Sequence, residues 1–190
     1  FGEGYGVQPC QFECPDMVEL PIDGDINRKK WALIVNVNPG CYFGGSATQY
    51  FTGNFDGTKF ICDNQPNVTK WLDWGKDHYA TVCFSNTSDR TVAIPWMSNW
   101  QYANIVPTSQ FRSANALPRE LSLFTEGNDI YVAANPVKEV ENIRQEAQQH
   151  ADQRHHGAHD TVALFPFFHI CSPFVHVKRS LSAVSADRLP

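Results

Sequence analysis

The sequence has no long apolar run, no block of basic residues and no second close pair of cysteines, and each absence removes a class of function. A membrane-crossing helix needs about 20 consecutive apolar residues, and no such stretch occurs in the 190 residues. The 15 Lys and Arg are dispersed and the formal net charge is −5, so a nucleic-acid partner has no electrostatic support. The opening residues, Phe1-Gly2-Glu3-Gly4-Tyr5-Gly6, carry neither the basic stretch nor the apolar core of a secretory leader. They start abruptly, without an initiator Met, and read as the beginning of a fragment or of a processed chain. Cys10 and Cys14 are separated by three residues, but Cys41, Cys62, Cys83 and Cys171 add no second close pair. A four-ligand zinc site is therefore not expected, and the thiols read as free or partly buried. No internal repeat of fixed period is present.

What the sequence does contain is globular. Hydrophobic residues make up 42% and charged residues 18%, enough apolar material for one ordinary domain. Aromatics reach 13%, with 5 Trp. That excess suits a tightly packed β-protein or a site that stacks on flat, partly apolar ligands such as sugars. Asn67-Val68-Thr69 and Asn86-Thr87-Ser88 fit the N-glycosylation pattern, which matters only in a eukaryotic secretory cell.

Strand signals dominate to about residue 135. Trp31 to Val37 is a β-rich run that stops at the turn Asn38-Pro39-Gly40. Gln49 to Phe55 alternates up to Asp56-Gly57, after which Lys59 to Cys62 resumes. Tyr79–Ser85, Thr91–Trp96, Glu120–Phe124 and Asp129–Ala133 are further short strands, the last two tightly connected through Glu126-Gly127-Asn128-Asp129. This pattern predicts an antiparallel all-β architecture, with sandwich, barrel and propeller all open. Residues 137–153 place Val137, Val140, Ile143 and Ala147 among polar residues and predict one short amphipathic helix. His155 and His159 follow at i,i+4 spacing, without the Glu or third ligand a metal site would need, and read as a solvated His-rich connector.

Glu13 lies between Phe12 and Cys14-Pro15. A proline-bounded carboxyl near aromatics can be held partly desolvated, which raises its pKa toward the range a general acid needs. Taken alone, Glu13 reads better as a solvated surface group. The residues that follow change that reading. Glu13-Cys14-Pro15-Asp16-Met17-Val18-Glu19-Leu20-Pro21 is followed by Trp31-Ala32-Leu33-Ile34-Val35-Asn36-Val37-Asn38-Pro39-Gly40 and Gly44-Gly45-Ser46-Ala47-Thr48-Gln49-Tyr50-Phe51. Leu72-Asp73-Trp74-Gly75-Lys76-Asp77-His78-Tyr79-Ala80, Trp96-Met97-Ser98-Asn99-Trp100-Gln101-Tyr102, Pro107-Thr108 and Leu117-Pro118-Arg119-Glu120-Leu121 come next. This ordered set, spread over residues 1 to about 144, resembles glycoside hydrolase family 32, the invertase, inulinase and levanase family.

The resemblance implies a five-bladed β-propeller, here the later blades only, as domain 1–144. Residues 145–190 stand apart as an unassigned tail that is either native or the product of a cloning or reading-frame change. The implied activity is hydrolysis of terminal fructosyl bonds in fructans (levan, inulin) or sucrose by a retaining mechanism, without cofactor or metal. Glu13 matches the acid/base position. Trp100 matches the region lining the fructose pocket, and Trp96 is read equally as pocket or as blade packing. Asp77 and Tyr79 read as structural, ordering a strand beside that pocket. Pro95 departs from the family's usual Gly and is expected to alter the local strand geometry.

The family's nucleophile motif (Trp-Met-Asn-Asp-Pro-Asn-Gly type) and its Arg-Asp-Pro motif do not occur, and Asp16 and Asp73 are not their counterparts. The chain is therefore expected to begin partway through the propeller and to be inactive alone. The alternative is a non-catalytic carbohydrate-binding or structural remnant. The implied partners are a fructan or sucrose, with neither nucleic acid nor membrane, and the implied location is extracellular or periplasmic. An open propeller leaves blade edges unprotected, so self-association is expected. Size-exclusion chromatography should show an assembly larger than a monomer, and a compact soluble monomer would contradict this.

Overall fold

A computed structural model describes residues 1–143, and these are all-β apart from one 3₁₀ turn. Strands β1 (Gln11–Ile22), β2 (Asp25–Asn38), β3 (Ala47–Phe55) and β4 (Phe60–Cys62) pair antiparallel in succession, and β5 (Lys70–Trp71) adds to β3. Strands β6 (Tyr79–Cys83), β7 (Thr91–Trp96), β8 (Arg119–Glu126) and β9 (Asp129–Pro136) form a second up-and-down meander. One parallel residue pair, Ile22 with Leu123, joins the meanders into a sheet of order β4-β3-β2-β1-β8-β7-β6. Two four-stranded meanders set side by side in a sheet that does not close are two neighbouring blades of a partial β-propeller.

The apolar run of β2 explains the packing. Ala32 and Ile34 point into a core shared by both blades, with Leu20, Ile22, Tyr50 and Leu72 from the first and Ala93, Leu121 and Leu123 from the second. Val35 and Leu33 point the other way, onto Phe51, Phe60 and Met17. A strand covered on both faces reads as a continuous hydrophobic run rather than an alternating one. Gly53 shows how closely the outer strands approach, since a Cβ there would meet the Ile61 carbonyl oxygen at 2.2 Å.

The helix predicted over 137–153 is, within the described residues, a 3₁₀ helix at Lys138–Ile143. Buried Val137 anchors its start, and Arg90 grips Glu139 with both terminal guanidinium nitrogens. The rest of that predicted helix, His155, His159, Cys171 and the 145–190 tail lie outside the described residues.

A buried charge cluster ties the strand-poor segment before β6 to β8. Arg119 Nη1 lies 2.9 Å from Asp73 Oδ2, and the His78 ring sits 3.7 Å from the same oxygen. His78 is buried, and neither ring nitrogen has a hydrogen-bond partner among the described residues. Burial pushes its pKa down to about 4 against the opposing pull of Asp73, with Arg119 adding to the fall. The sign follows directly. Above the unfolded value of about 6.5 the ring is neutral in both states and adds no pH dependence. As pH falls from there toward 4, the unfolded chain takes up a proton that the folded chain refuses, and stability is lost. Urea titrations at pH 7 and pH 4.5 should register this loss, and His78→Gln should flatten it. An unchanged slope in the variant would show that the cluster does not carry the dependence.

Candidate active site

Glu13 reaches its position through a break in β1. Glu13 pairs with Asn36 and Asp16 with Ile34, so Cys14 and Pro15 together face one residue of β2. Pro15 has no N–H to give the ladder, and Cys14 adopts a left-handed conformation (φ 44°); both are features of a β-bulge. The consequence is a change of parity. Side chains alternate along a strand, so an extra residue moves everything before it to the opposite face. Residues paired across antiparallel strands share a face. The bulge therefore sets Glu13 and Asp16 on the side of Ile34 and Asn36, toward the second blade, while Phe12 and Met17 pack on the other. Glu13 is half-buried, and its carboxylate forms no hydrogen bond or ion pair among the described residues.

A second bulge faces the first. In β6, Tyr79 pairs with Trp96 and Val82 with Ile94, so Ala80 and Thr81 stand against the single residue Pro95. Ala80 is left-handed (φ 52°). The single residue opposite the bulge, Pro95, cannot donate to the ladder. Thr81 is consequently served by another partner, the side chain of fully buried Asn36. Asn36 Oδ1 accepts from the Thr81 amide at 3.0 Å, and Nδ2 donates to the Thr81 carbonyl at 3.3 Å and to the Cys14 carbonyl at 3.2 Å. Thr48 Oγ1 donates to Asn36 Oδ1 at 2.6 Å and lies 2.9 Å from Thr81 Oγ1. Removing the amide would strand three backbone groups, at about 1–3 kcal/mol for each one left buried and unpaired. On the far side of the bulge, Asp16 Oδ1 accepts from the Met17 amide at 2.9 Å and Oδ2 from the Cys83 amide at 2.7 Å. Burial, and then the neighbouring Asp16, push the Cys83 thiol up to about 12.

The tryptophans lie at the same end of the sheet. The start of β1 pairs with the end of β2, which pairs with the start of β3, while the start of β6 pairs with the end of β7. Trp96 closes β7, half-buried, with its ring 6.1 Å from buried Tyr79 and 5.1 Å from Trp100. Trp100 is 48% exposed on the turn that follows. Fully buried Asn99 fixes that turn, donating to the carbonyls of Gly44, Ser46 and Lys76 at 3.0–3.2 Å and accepting from the Gln101 amide. The Trp100 amide donates to Ser46 Oγ at 3.3 Å. Gly45 is needed here twice over: its φ is +77°, and a Cβ would come within 2.0 Å of Asn99 Oδ1. The same loop presents Phe43 edge-on to exposed Trp74 at 5.9 Å.

The other acidic residues near this end are engaged. Asp73 is held by Arg119 and accepts from the Gly75 amide at 2.6 Å. Asp77 accepts a short hydrogen bond from Tyr102, whose hydroxyl is pushed up by burial and by that carboxylate. Asn36, Thr48, Thr81 and Asn99, which hold the site together, were not singled out from the sequence. The available signal was polar residues inside apolar strand runs, as with Asn36 between Val35 and Val37, because a buried polar group requires partners.

The arrangement sets a carboxyl with no partner among the described residues and a partly exposed indole at the same end of two propeller blades. The profile of the glycosyl hydrolases family 32 N-terminal domain matches residues 4–134. A levanase of Bacillus subtilis (strain 168) is 52% identical over 149 residues, covering 76% of this chain and 22% of that protein. Invertase 2 of Saccharomyces cerevisiae is 41% identical over 140 residues, covering 72% and 25%. Among solved structures, the exo-inulinase from Aspergillus awamori superposes with a TM-score of 0.66 at 40% identity, covering 72% of this chain and 28% of that one. The chain thus spans between a fifth and a third of the length of these relatives.

Proposed function

The chain belongs to glycosyl hydrolase family 32, and on that premise we propose that it carries the acid/base half of an enzyme that hydrolyses terminal fructosyl bonds in levan, inulin or sucrose. The observation that supports this is the placement of Glu13. A bulge turns its half-buried carboxyl toward the second blade, at the end of the sheet where Trp100 is exposed, and no described residue engages it.

In the proposed retaining reaction, one carboxylate attacks the anomeric carbon and a second carboxyl protonates the departing oxygen, the pair standing about 5–5.5 Å apart. Glu13 is the proton donor in the first step. As the fructosyl–enzyme is hydrolysed, the same group, now a carboxylate, takes a proton from the attacking water. Trp100 lies against the apolar C–H face of the fructosyl ring and can offer its indole N–H to a sugar hydroxyl; Trp96 supports it from behind. Asp16, Asp73 and Asp77 are each tied to other groups, and the family's nucleophile motif does not occur in this sequence, so the attacking carboxylate is assigned to sequence outside these residues. Alone, the chain lacks the covalent route and does not turn over.

The test uses the full-length enzyme that carries this sequence. Glu13→Gln should lower kcat/KM on sucrose or levan by about 10²–10⁴-fold, the range for loss of a general acid/base. The 190-residue chain by itself should release no fructose. A Glu13→Gln enzyme that retains most of its activity would overturn the assignment and favour a role for these blades in carbohydrate binding.

A further inference from the structure

Among the described residues Glu13 has no side-chain partner, so its aim is set by the backbone that carries it. That backbone is a bulge, and a bulge is a local irregularity with its own conformational freedom unless its peptide groups are tied down. Two partly buried contacts do this. The Cys14 carbonyl, immediately after Glu13, accepts from Asn36 Nδ2 at 3.2 Å. Asp16, the first residue beyond the bulge, takes the Cys83 amide at 2.7 Å and its neighbour's amide at 2.9 Å. Both ties lead to the second blade, directly through Cys83 and through the amide of Asn36, which is itself locked to Thr81 and Thr48.

We propose that Asn36 and Asp16 are positioning residues that clamp the Cys14-Pro15 bulge from either side and so fix where Glu13 delivers its proton; this rests on the reading of Glu13 as acid/base. The clamp makes a prediction that general destabilisation does not. Proton delivery matters in proportion to how poor the leaving group is. A sugar leaving as an alcohol needs the proton in the transition state, whereas an activated aryl oxide departs without it. Misplacing the donor should therefore damage cleavage of natural fructosides selectively. A loose or less populated fold would lower both substrates alike.

In the full-length enzyme, Asn36→Ala should reduce kcat/KM on sucrose by at least about tenfold, since misplacement of a catalytic group by about 1 Å can cost up to 10²-fold. With 4-nitrophenyl β-fructofuranoside, the loss should stay below about threefold, because this leaving group needs little acid assistance. Should Asn36→Ala fail to fold, two isosteric changes carry the same prediction. Asn36→Asp keeps acceptors for the Thr81 amide and the Thr48 hydroxyl but no longer donates to the Cys14 and Thr81 carbonyls, and Asp16→Asn weakens the other tie. Equal losses on both substrates, or no loss on either, would overturn the clamp. Glu13→Gln measured in parallel separates the two ideas. If its own loss is not leaving-group dependent, the acid assignment fails; if it is and the clamp variants are not, only the clamp fails.

Discussion

A single carboxamide, that of Asn36, joins the two blades at the point where both of their inner strands are irregular. Fully buried, it supplies hydrogen bonds to the carbonyl of the β1 bulge and to both peptide groups of Thr81 in the β6 bulge. A side-chain amide has the same donor and acceptor geometry as a peptide group, so here it substitutes for the strand neighbour that each bulge lacks. Without it, both bulges would present unpaired polar groups to the interior, and the favourable alternative would be to straighten the strands. Straightening β1 would return Glu13 to the opposite face. The orientation of the candidate acid/base and the local join of the two bulges thus both lead back to this group, with the Asp16–Cys83 contact holding the other side of the β1 bulge.

The apolar core sets the blades side by side, and the polar network decides how they meet at the end that carries the site. Ile34 and Leu123 bring burial, which is strong but not directional. Asn36, Thr48 and Thr81 at one point, and Asn99 with Gly44, Ser46 and Lys76 at another, add directional contacts that fix loops and side chains. Such fully satisfied buried networks rigidify the elements that bear them. Trp100 benefits in the same way as Glu13: its exposed ring is displayed by a turn whose backbone is anchored beneath it.

Much of this was legible in the sequence. The β-rich run at Trp31–Val37 and the strands up to Asp129 were evident from apolar pattern and turn residues, and the ordered motifs named the family. What periodicity did not show was β1, whose Cys14-Pro15 and Pro21 interrupt the strand signal; here a proline marks the bulge rather than the end of a strand. Pro95 pointed to unusual geometry but not to its form, because the compensating irregularity lies on the partner strand at Ala80. Asn36 stayed hidden for a different reason. Its partners are 22 and 45 residues away, and nothing local distinguishes a strand asparagine that bridges two bulges from one that faces solvent. The helix read over 137–153 met a six-residue 3₁₀ helix at its start, with its first turn fixed by Val137 and by Arg90 rather than by its own periodicity.

The measurement that bears most directly on this account is a crystal structure of the intact enzyme, made inactive by Glu13→Gln, with an uncleaved fructoside bound. The account predicts the residue-13 side chain within about 2.6–3.2 Å of the glycosidic oxygen, the reach of a proton donor, with the Asn36 amide still bonded to the Cys14 carbonyl and the Trp100 ring against the sugar. A residue-13 side chain turned away from the scissile bond, with a different carboxyl at that oxygen, would contradict it.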